Sequence, residues 1–335
     1  MRKLASIAIV MILVFSTSVF AEENKNDNFF ISPELGAAER EIIGDIMQTL
    51  PESDRENVIY FAPDGEVYAN KPELKENVEK AEYVGDGVYA WENGETFVLP
   101  EAQAEDQSQA FVSDISILNY SCSGNTGPYR RVFSNPGYSY YEGRVYLPAA
   151  AEVNDQSQPG GNSTSYIYTG GRNGTEVDAG FQYGKTNQDW AFFNSPAGQG
   201  RTSGSRYKSG QTVTLKFYVT QDNQVAVSTT GIKMNSTTVT TETLVANAPG
   251  WKLNGTGNIL KRITSIGQIG GNNFNSGAYL RNVQWSSSKI GTTAANAQQW
   301  LASQTGGYCS FPNSSIVSSD YVNAGQEKVS INIPN

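Results

Sequence analysis

Residues 176–183 have the sequence EVDAGFQY, in which polar and apolar side chains alternate. Successive side chains of a β-strand point to opposite faces of its sheet. Glu176, Asp178 and Gln182 are therefore expected on one face, and the four apolar side chains on the other. The stretch predicts an amphipathic strand with an acidic polar face that is interrupted by Gly180.

Many further strand-like runs surround this stretch. Segments rich in Val, Ile, Thr and Tyr alternate with turns of Gly, Asn and Ser, and the chain contains 33 glycines. Such spacing predicts a mainly β protein, with an antiparallel β-sandwich or jelly roll over residues 107–335. One late helix is expected over Thr293–Gln304. The predicted strands are Gly143–Leu147, Ser165–Tyr168, Thr175–Tyr183, Trp190–Asn194, Gln211–Thr220, Gln224–Thr229, Ile263–Ile269 and Ala278–Ser286.

Residues 22–106 have a different sequence pattern, which predicts a small α+β segment. A helix can begin after Ser32, which is a favourable cap, and end before Pro51. The remaining predicted elements are a hairpin over Asn57–Ala69, a charged helix over Glu73–Tyr83 and a hairpin over Gly85–Leu99.

Charge is unevenly divided between these two regions. Residues 22–106 hold 22 acidic and 6 basic residues, a net charge of −16, whereas residues 107–335 hold 11 and 16, a net charge of +5. The polar stretch 103–109 resembles a linker. The acidic segment is therefore expected to be either a pro-segment or a separate small domain, and opposite charge favours its docking on the body. A charge of +5 over so long a body does not indicate a nucleic-acid partner.

The first 21 residues have the features of a secretory signal peptide. Arg2 and Lys3 precede an apolar run over residues 4–15, and Ala21 ends a small-residue cleavage site. The apolar run is too short for a spanning helix, so a secreted protein is expected. The chain has no histidine, which excludes a Ser-His-Asp or Cys-His nucleophile and a His-ligated zinc.

Only two cysteines are present, Cys122 and Cys309. In an exported protein they are expected to form one disulfide, which would link the beginning of the body to its end. Two buried free thiols are the alternative.

The acidic strand and the strand-rich layout resemble the concanavalin A-like lectins and glucanases. Family 16 glycosidases of that group carry E-x-D-x-E or E-x-D-x-x-E on one sheet face. Glu176 and Asp178 match the first two positions, but Gly180 or Phe181 occupies the third, so the acid/base residue is missing. The resemblance implies a jelly roll with a concave glycan groove and argues against that hydrolase activity.

Two other resemblances concern origin and chemistry. The chain is similar to the glutamic peptidases in being a secreted sandwich that does not use histidine. That family uses a Gln and a Glu from separate strands; Gln182 could be the first, but no acid lies between Glu242 and Asp320 to be the second. The body also resembles secreted Bacillus proteins of the YrpD type, which implies an origin but no activity.

These observations favour a non-catalytic protein that binds a polysaccharide or cell-envelope glycan through one sheet face. The alternatives are a carboxylate-dependent glycosidase or lyase that uses Glu176 and Asp178, and an extracellular structural or interaction protein. The predicted ligand-binding residues are Glu176, Asp178, Gln182, Asp189 and Trp190.

No cofactor is indicated by the sequence. Loop calcium is the one candidate, because Asp155, Asn162, Asp189 and Asp222 lie in or next to predicted turns. Their spacing matches no recognised calcium loop.

Overall fold

A computed structural model describes residues 29–85, 88–98, 124, 126–155, 157–158, 161–197, 199, 202–269 and 271–335. Over these residues the chain forms two sheets of eleven strands each, together with two α-helices. The expected mainly β sandwich, preceded by a small α+β segment, is confirmed.

The helices are α1 (Ala37–Thr49) and α2 (Pro72–Lys75), and short 3₁₀ helices lie at Glu52–Asp54, Ala150–Glu152 and Ala302–Gln304. The strands are β1 (Val58–Phe61), β2 (Val67–Ala69), β3 (Glu79–Gly85), β4 (Val88–Trp91), β5 (Thr96–Val98), β6 (Tyr129–Ser134), β7 (Tyr140–Leu147), β8 (Val153–Asn154), β9 (Ser157–Gln158), β10 (Gly161–Asn173), β11 (Thr175–Gly184), β12 (Asp189–Pro196), β13 (Thr202–Tyr207), β14 (Gln211–Gln221), β15 (Gln224–Ile232), β16 (Val239–Asn247), β17 (Ile259–Gln268), β18 (Tyr279–Gly291), β19 (Gln298–Gln299), β20 (Thr305–Phe311), β21 (Val317–Asn323) and β22 (Gln326–Asn332).

Sheet 1 has the strand order β2-β1-β16-β15-β14-β7-β18-β22-β21, with β8 and β19 also paired to β18. Sheet 2 has the order β20-β6-β17-β10-β11-β12-β13-β3-β4-β5, with β9 paired to β10. The acidic strand β11 thus lies in the middle of sheet 2, between β10 and β12.

The main core fills the space between the inner faces of the two sheets. From β11 it receives Val177, Ala179, Phe181 and Tyr183, the apolar half of the alternating stretch. Burying such side chains against a facing sheet is what stabilises a sandwich. The fully buried tryptophans are Trp190, Trp251, Trp285 and Trp300.

The N-terminal segment contributes strands to both sheets. Strand β1 pairs in parallel with β16, and β3 pairs in antiparallel with β13. Helix α1 packs Ile43 and Met47 onto the outer face of sheet 1, against Tyr140 and Tyr218. Residues 29–85 and 88–98 are therefore built into the sandwich rather than held as a separate layer.

Two predicted helices are wrong. Over Thr293–Gln304 the side chain of Asn296 accepts the amides of Thr292 and Thr293, which forms a turn, and β19 follows. The charged helix expected over Glu73–Tyr83 is also not formed. Helix α2 ends at Lys75, and the residues from Glu79 form β3 because they pair with β4.

Candidate functional site on the outer face of sheet 2

The outer face of sheet 2, which points away from sheet 1, carries the polar half of β11. Asp178 and Gln182 are 8% and 2% exposed, and Glu176 keeps 28% of its side chain exposed. Since the apolar residues between them enter the core, the predicted alternation is confirmed. These three polar side chains are more buried than those of a solvated sheet face would be.

Lys261 of β17 lies against both acids, although a whole strand separates β17 from β11. Its Nζ is 2.6 Å from Asp178 Oδ1 and also pairs with Glu176 Oε1. In β10, Gly170 lies opposite Asp178 on one side and opposite Lys261 on the other. Lys261 therefore crosses β10 at the position of Gly170, which has no side chain, and reaches the acids.

Burial of this cluster shifts the pKa of Glu176 and affects that of Lys261. Desolvation raises the pKa of Glu176, and the charge of Asp178 adds to this effect, while Lys261 opposes it. Desolvation alone would lower the pKa of Lys261, but the adjacent carboxylates outweigh it, so the pKa is raised and the lysine stays charged. The site therefore holds two acids and one cation on a single face.

Aromatic side chains border the acids on the same face. Tyr168 precedes Gly170 by two residues on β10 and therefore shares its face. The centroid of the Tyr168 ring lies 5.8 Å from Lys261 Nζ. Tyr166 and Phe193 pack beside Tyr168 in a T-shaped and tilted arrangement. The face thus continues from the ionic cluster into an aromatic row.

The other predicted ligand residues do not join this cluster. Trp190 is fully buried on the inner face, where it packs edge-on to Tyr183 and donates from Nε1 to the carbonyl oxygen of Pro148. Asp189 pairs with Arg206 at 2.8 Å, and Gln182 lies opposite Tyr166 in the ladder. A tryptophan beside the acids, which the glycan prediction requires, is therefore not found.

A segment called here the strap, described over residues 79–85 and 88–98, contains β3, β4 and β5 and reaches the outer face. The hydroxyl of Tyr166 donates to the carbonyl oxygen of Val98 at 2.5 Å. The amide of Val98 in turn donates to Thr164 Oγ1 at 3.2 Å. The face therefore holds an extended piece of chain through its backbone groups.

The predicted disulfide and calcium sites are not settled by this geometry. Cys309 lies on β20 with Sγ 3.8 Å from the hydroxyl of Tyr129, and Cys122 is outside the described residues, so the pairing stays a prediction. In the described part of the chain, no group of three or more His, Cys, Asp or Glu side chains is arranged to hold a metal ion.

Over the described residues, no helix has the length and apolar composition needed to cross a membrane. Residues 1–21 also lie outside the described part.

Three residues of this site could not be identified from the sequence: Lys261, Gly170 and Tyr166. Each of them acquires its role only through the register of the strands. The only hint was a lysine within the otherwise apolar start of β17, Ile259-Leu260-Lys261.

No family model and no curated protein matches this chain. Among solved structures, it is similar to scytalido-glutamic peptidase bound to a peptide-based transition-state analogue, with a TM-score of 0.38 and 8% identity over 62% of this chain and 98% of that chain. A second structure of that peptidase with a transition-state analogue inhibitor has a TM-score of 0.37 and 10% identity, with the same coverage. SCP-B, an eqolisin peptidase in complex with the tripeptide Ala-Ile-His, has a TM-score of 0.37 and 9% identity, again with that coverage. At these values the likeness is one of loose β-sandwich architecture.

The expected non-catalytic glycan-binding protein is wrong. The five side chains that were predicted to line one groove do not all lie together: Glu176, Asp178 and Gln182 are on the outer face of sheet 2, whereas Asp189 and Trp190 are not beside them. Trp190 is in the core, and Lys261 ion-pairs with the two acids that were expected to face a sugar. The jelly-roll-like sandwich is supported, whereas a concanavalin A-like family is not named by any comparison.

Proposed function

We propose that this chain is a peptidase whose peptide-binding surface is the outer face of sheet 2. The observation that carries the proposal is the hydrogen bonding of Val98, whose amide and carbonyl are both held by side chains of β10. Bonds to backbone groups recognise an extended peptide irrespective of its sequence. Tyr166 is four residues from Gly170, about 13 Å along the strand, so a bound peptide of four residues reaches the acids.

The ionic cluster supplies the groups that peptide-bond hydrolysis needs. Asp178, paired with Lys261, is placed to take a proton from water as the water oxygen adds to the carbonyl carbon. Glu176, with a raised pKa, donates its proton to the leaving nitrogen as the C–N bond breaks. The products are one carboxyl and one amine, and proton exchange with solvent restores both acids.

A peptide panel tests the activity. We expect cleavage of internally quenched peptides between about pH 3 and 7, reduced at least about 100-fold by Glu176→Gln and by Asp178→Asn. The matched control is Asp222→Asn, which removes an exposed carboxylate paired with Lys252. Cleavage that the two site variants leave intact, or no cleavage by any form of the protein, contradicts the proposal.

We further propose that residues 1–21 direct export and that Cys309 pairs with Cys122. The two proposals support each other, since a disulfide persists outside the cytosol and export would bring both cysteines there. Intact-mass analysis of culture supernatant is expected to show a chain without residues 1–21 that is two hydrogens lighter than its reduced form. A retained N-terminus contradicts export by this signal, and an unchanged mass on reduction contradicts the disulfide.

A further inference from the structure

We infer that the strap, as described over residues 79–85 and 88–98, is a self-bound peptide that blocks the outer face of sheet 2 and opens without unfolding of the sandwich. The inference rests on the proposed function, because it takes the peptide-binding face to be the surface that is blocked. Within the acidic N-terminal segment, the regulatory role is thus assigned to the strap alone.

The strap is attached to sheet 2 through a short ladder. Strand β3 meets β13 in only two register positions, Thr202 with Lys80 and Ser203 with Glu79. The central pair β11 and β12 aligns eight residues. Most of β3 is exposed or half-buried, so little apolar surface holds it in place.

Two carboxylates of the strap supply an ionic latch. Glu79 Oε2 is 2.7 Å from Arg206 Nη2, and the same guanidinium binds Asp189 of the sandwich. Glu95 Oε1 accepts the amides of Lys185 and Thr186 at 2.5 and 3.3 Å. Charge-assisted hydrogen bonds of this kind are stronger than neutral ones, so the latch contributes much of the strap's docking.

The far end of the strap is the part that covers the face. Phe97 is 1% exposed and Val98 is 4% exposed, and Val98 takes the two backbone hydrogen bonds from β10 that a bound peptide would use. A second peptide cannot take these bonds while the strap holds them. Docking of the strap and of a substrate peptide is therefore mutually exclusive.

The rest of the N-terminal segment is held differently. Strand β1 aligns four residues with β16, and Val58 and Ile59 are completely buried. Opening of residues 58–61 would expose the core between the two sheets, whereas opening of the strap breaks the latch, one short ladder and the contacts of Phe97 and Val98 on the outer face. The unit that opens is therefore the strap alone.

Hydrogen–deuterium exchange of the full chain tests this unit. In Glu79→Gln/Glu95→Gln we expect the amides of residues 88–98 to exchange at least about tenfold faster than in the unmodified protein, with those of β15 unchanged. The matched control is Glu82→Gln/Glu92→Gln, which removes the same charge from exposed positions of the strap. Equal exchange over residues 88–98 in both double variants, or faster exchange of β15 together with the strap, overturns the inference.

Peptide binding is the second readout. A labelled synthetic peptide with the sequence of residues 88–98 is expected to bind the latch variant at least about tenfold more tightly than the control variant. Faster exchange without any gain in binding overturns the claim that the strap blocks a peptide site. A gain in binding without cleavage of any peptide leaves the strap intact as an inference and contradicts only the peptidase proposal.

Discussion

Lys261 and Asp178 form an ion pair across an intervening strand, with Nζ and Oδ1 2.6 Å apart. Gly170 of β10 lies between them in the ladder, opposite both. A Cβ added at this position would collide with the backbone of β11 at Val177. The ionic cluster thus depends on one residue that takes no part in it.

Replacing Lys261 by methionine is expected to destabilise the fold. The change leaves Glu176 and Asp178 without their cation in a buried environment, and we expect a loss of about 2–4 kcal/mol in the free energy of unfolding at neutral pH. Urea unfolding measures it. The loss is expected to shrink as the pH falls, because Glu176, whose pKa is raised by burial, then takes up a proton and no longer needs the cation.

The matched control for this prediction is Lys252→Met. Lys252 pairs with Asp222, but 44% and 54% of the two side chains are exposed. Solvent screens such a pair, so the unfolding midpoint is expected to stay nearly unchanged. Equal losses in both variants would show that the cluster is not a buried site.

Gly170→Ala is expected to disrupt the same cluster through the backbone. Gly170 has φ +126°, and an added Cβ would lie 2.0 Å from the carbonyl oxygen of Val177. We expect a loss of at least about 2 kcal/mol in unfolding free energy. Gly36→Ala is the control, since Gly36 has φ −60° and no atom within 4 Å of the added Cβ. A melting temperature that falls equally in both variants contradicts the explanation.

Asp155 is expected to make stability depend on pH. Burial raises its pKa to about 6, although its carboxylate accepts the amide and the hydroxyl of Ser165. The ordinary value is 3.8, so folding takes up a proton between these limits, and stability falls as the pH rises from about 4 to 6. Asp155→Asn is expected to raise the unfolding free energy by about 1–2 kcal/mol at pH 7.5 and to have little effect below pH 4.

Thermal unfolding at both pH values checks this prediction. Asparagine keeps an acceptor for the Ser165 amide, so the hydrogen bond is largely matched between the two proteins. A difference that is equal at pH 4 and pH 7.5 would show that ionisation of Asp155 is not its cause.

Trp190→Phe is expected to affect stability rather than ligand contact. The indole is fully buried and donates to Pro148, so the smaller ring leaves a cavity and an unpaired carbonyl, at a cost of about 1–3 kcal/mol. Chemical unfolding with tryptophan fluorescence measures the cost. Peptide cleavage per folded molecule is expected to be unchanged, and a selective loss of cleavage would place Trp190 in the site.

The sandwich could be predicted from local patterns. Alternation in β11 assigned its two faces correctly, and the hairpin expected over Gly85–Leu99 is present as the pair β4 and β5. Such signals work because a strand's period and its turn chemistry are properties of a few consecutive residues.

The site could be predicted only in part, for a physical reason. Glu176 and Asp178 share a strand, and their common face follows from the sequence. Lys261 joins them only because β10 pairs with both β11 and β17 in a particular register, and register depends on the whole sheet. Trp190 was misplaced because an aromatic next to a polar strand fits a core as well as a surface.

The parallel pairing of β1 with β16 has a consequence for biogenesis. Asn57, just before β1, donates its side-chain amide to Thr241, a partner 184 positions further along the chain. The part of the chain that is synthesised first must wait for most of the polypeptide before β1 can pair with β16. Folding is therefore expected to be slow and to finish late, and until then the edge of β1 that faces away from β2 can pair with a wrong strand.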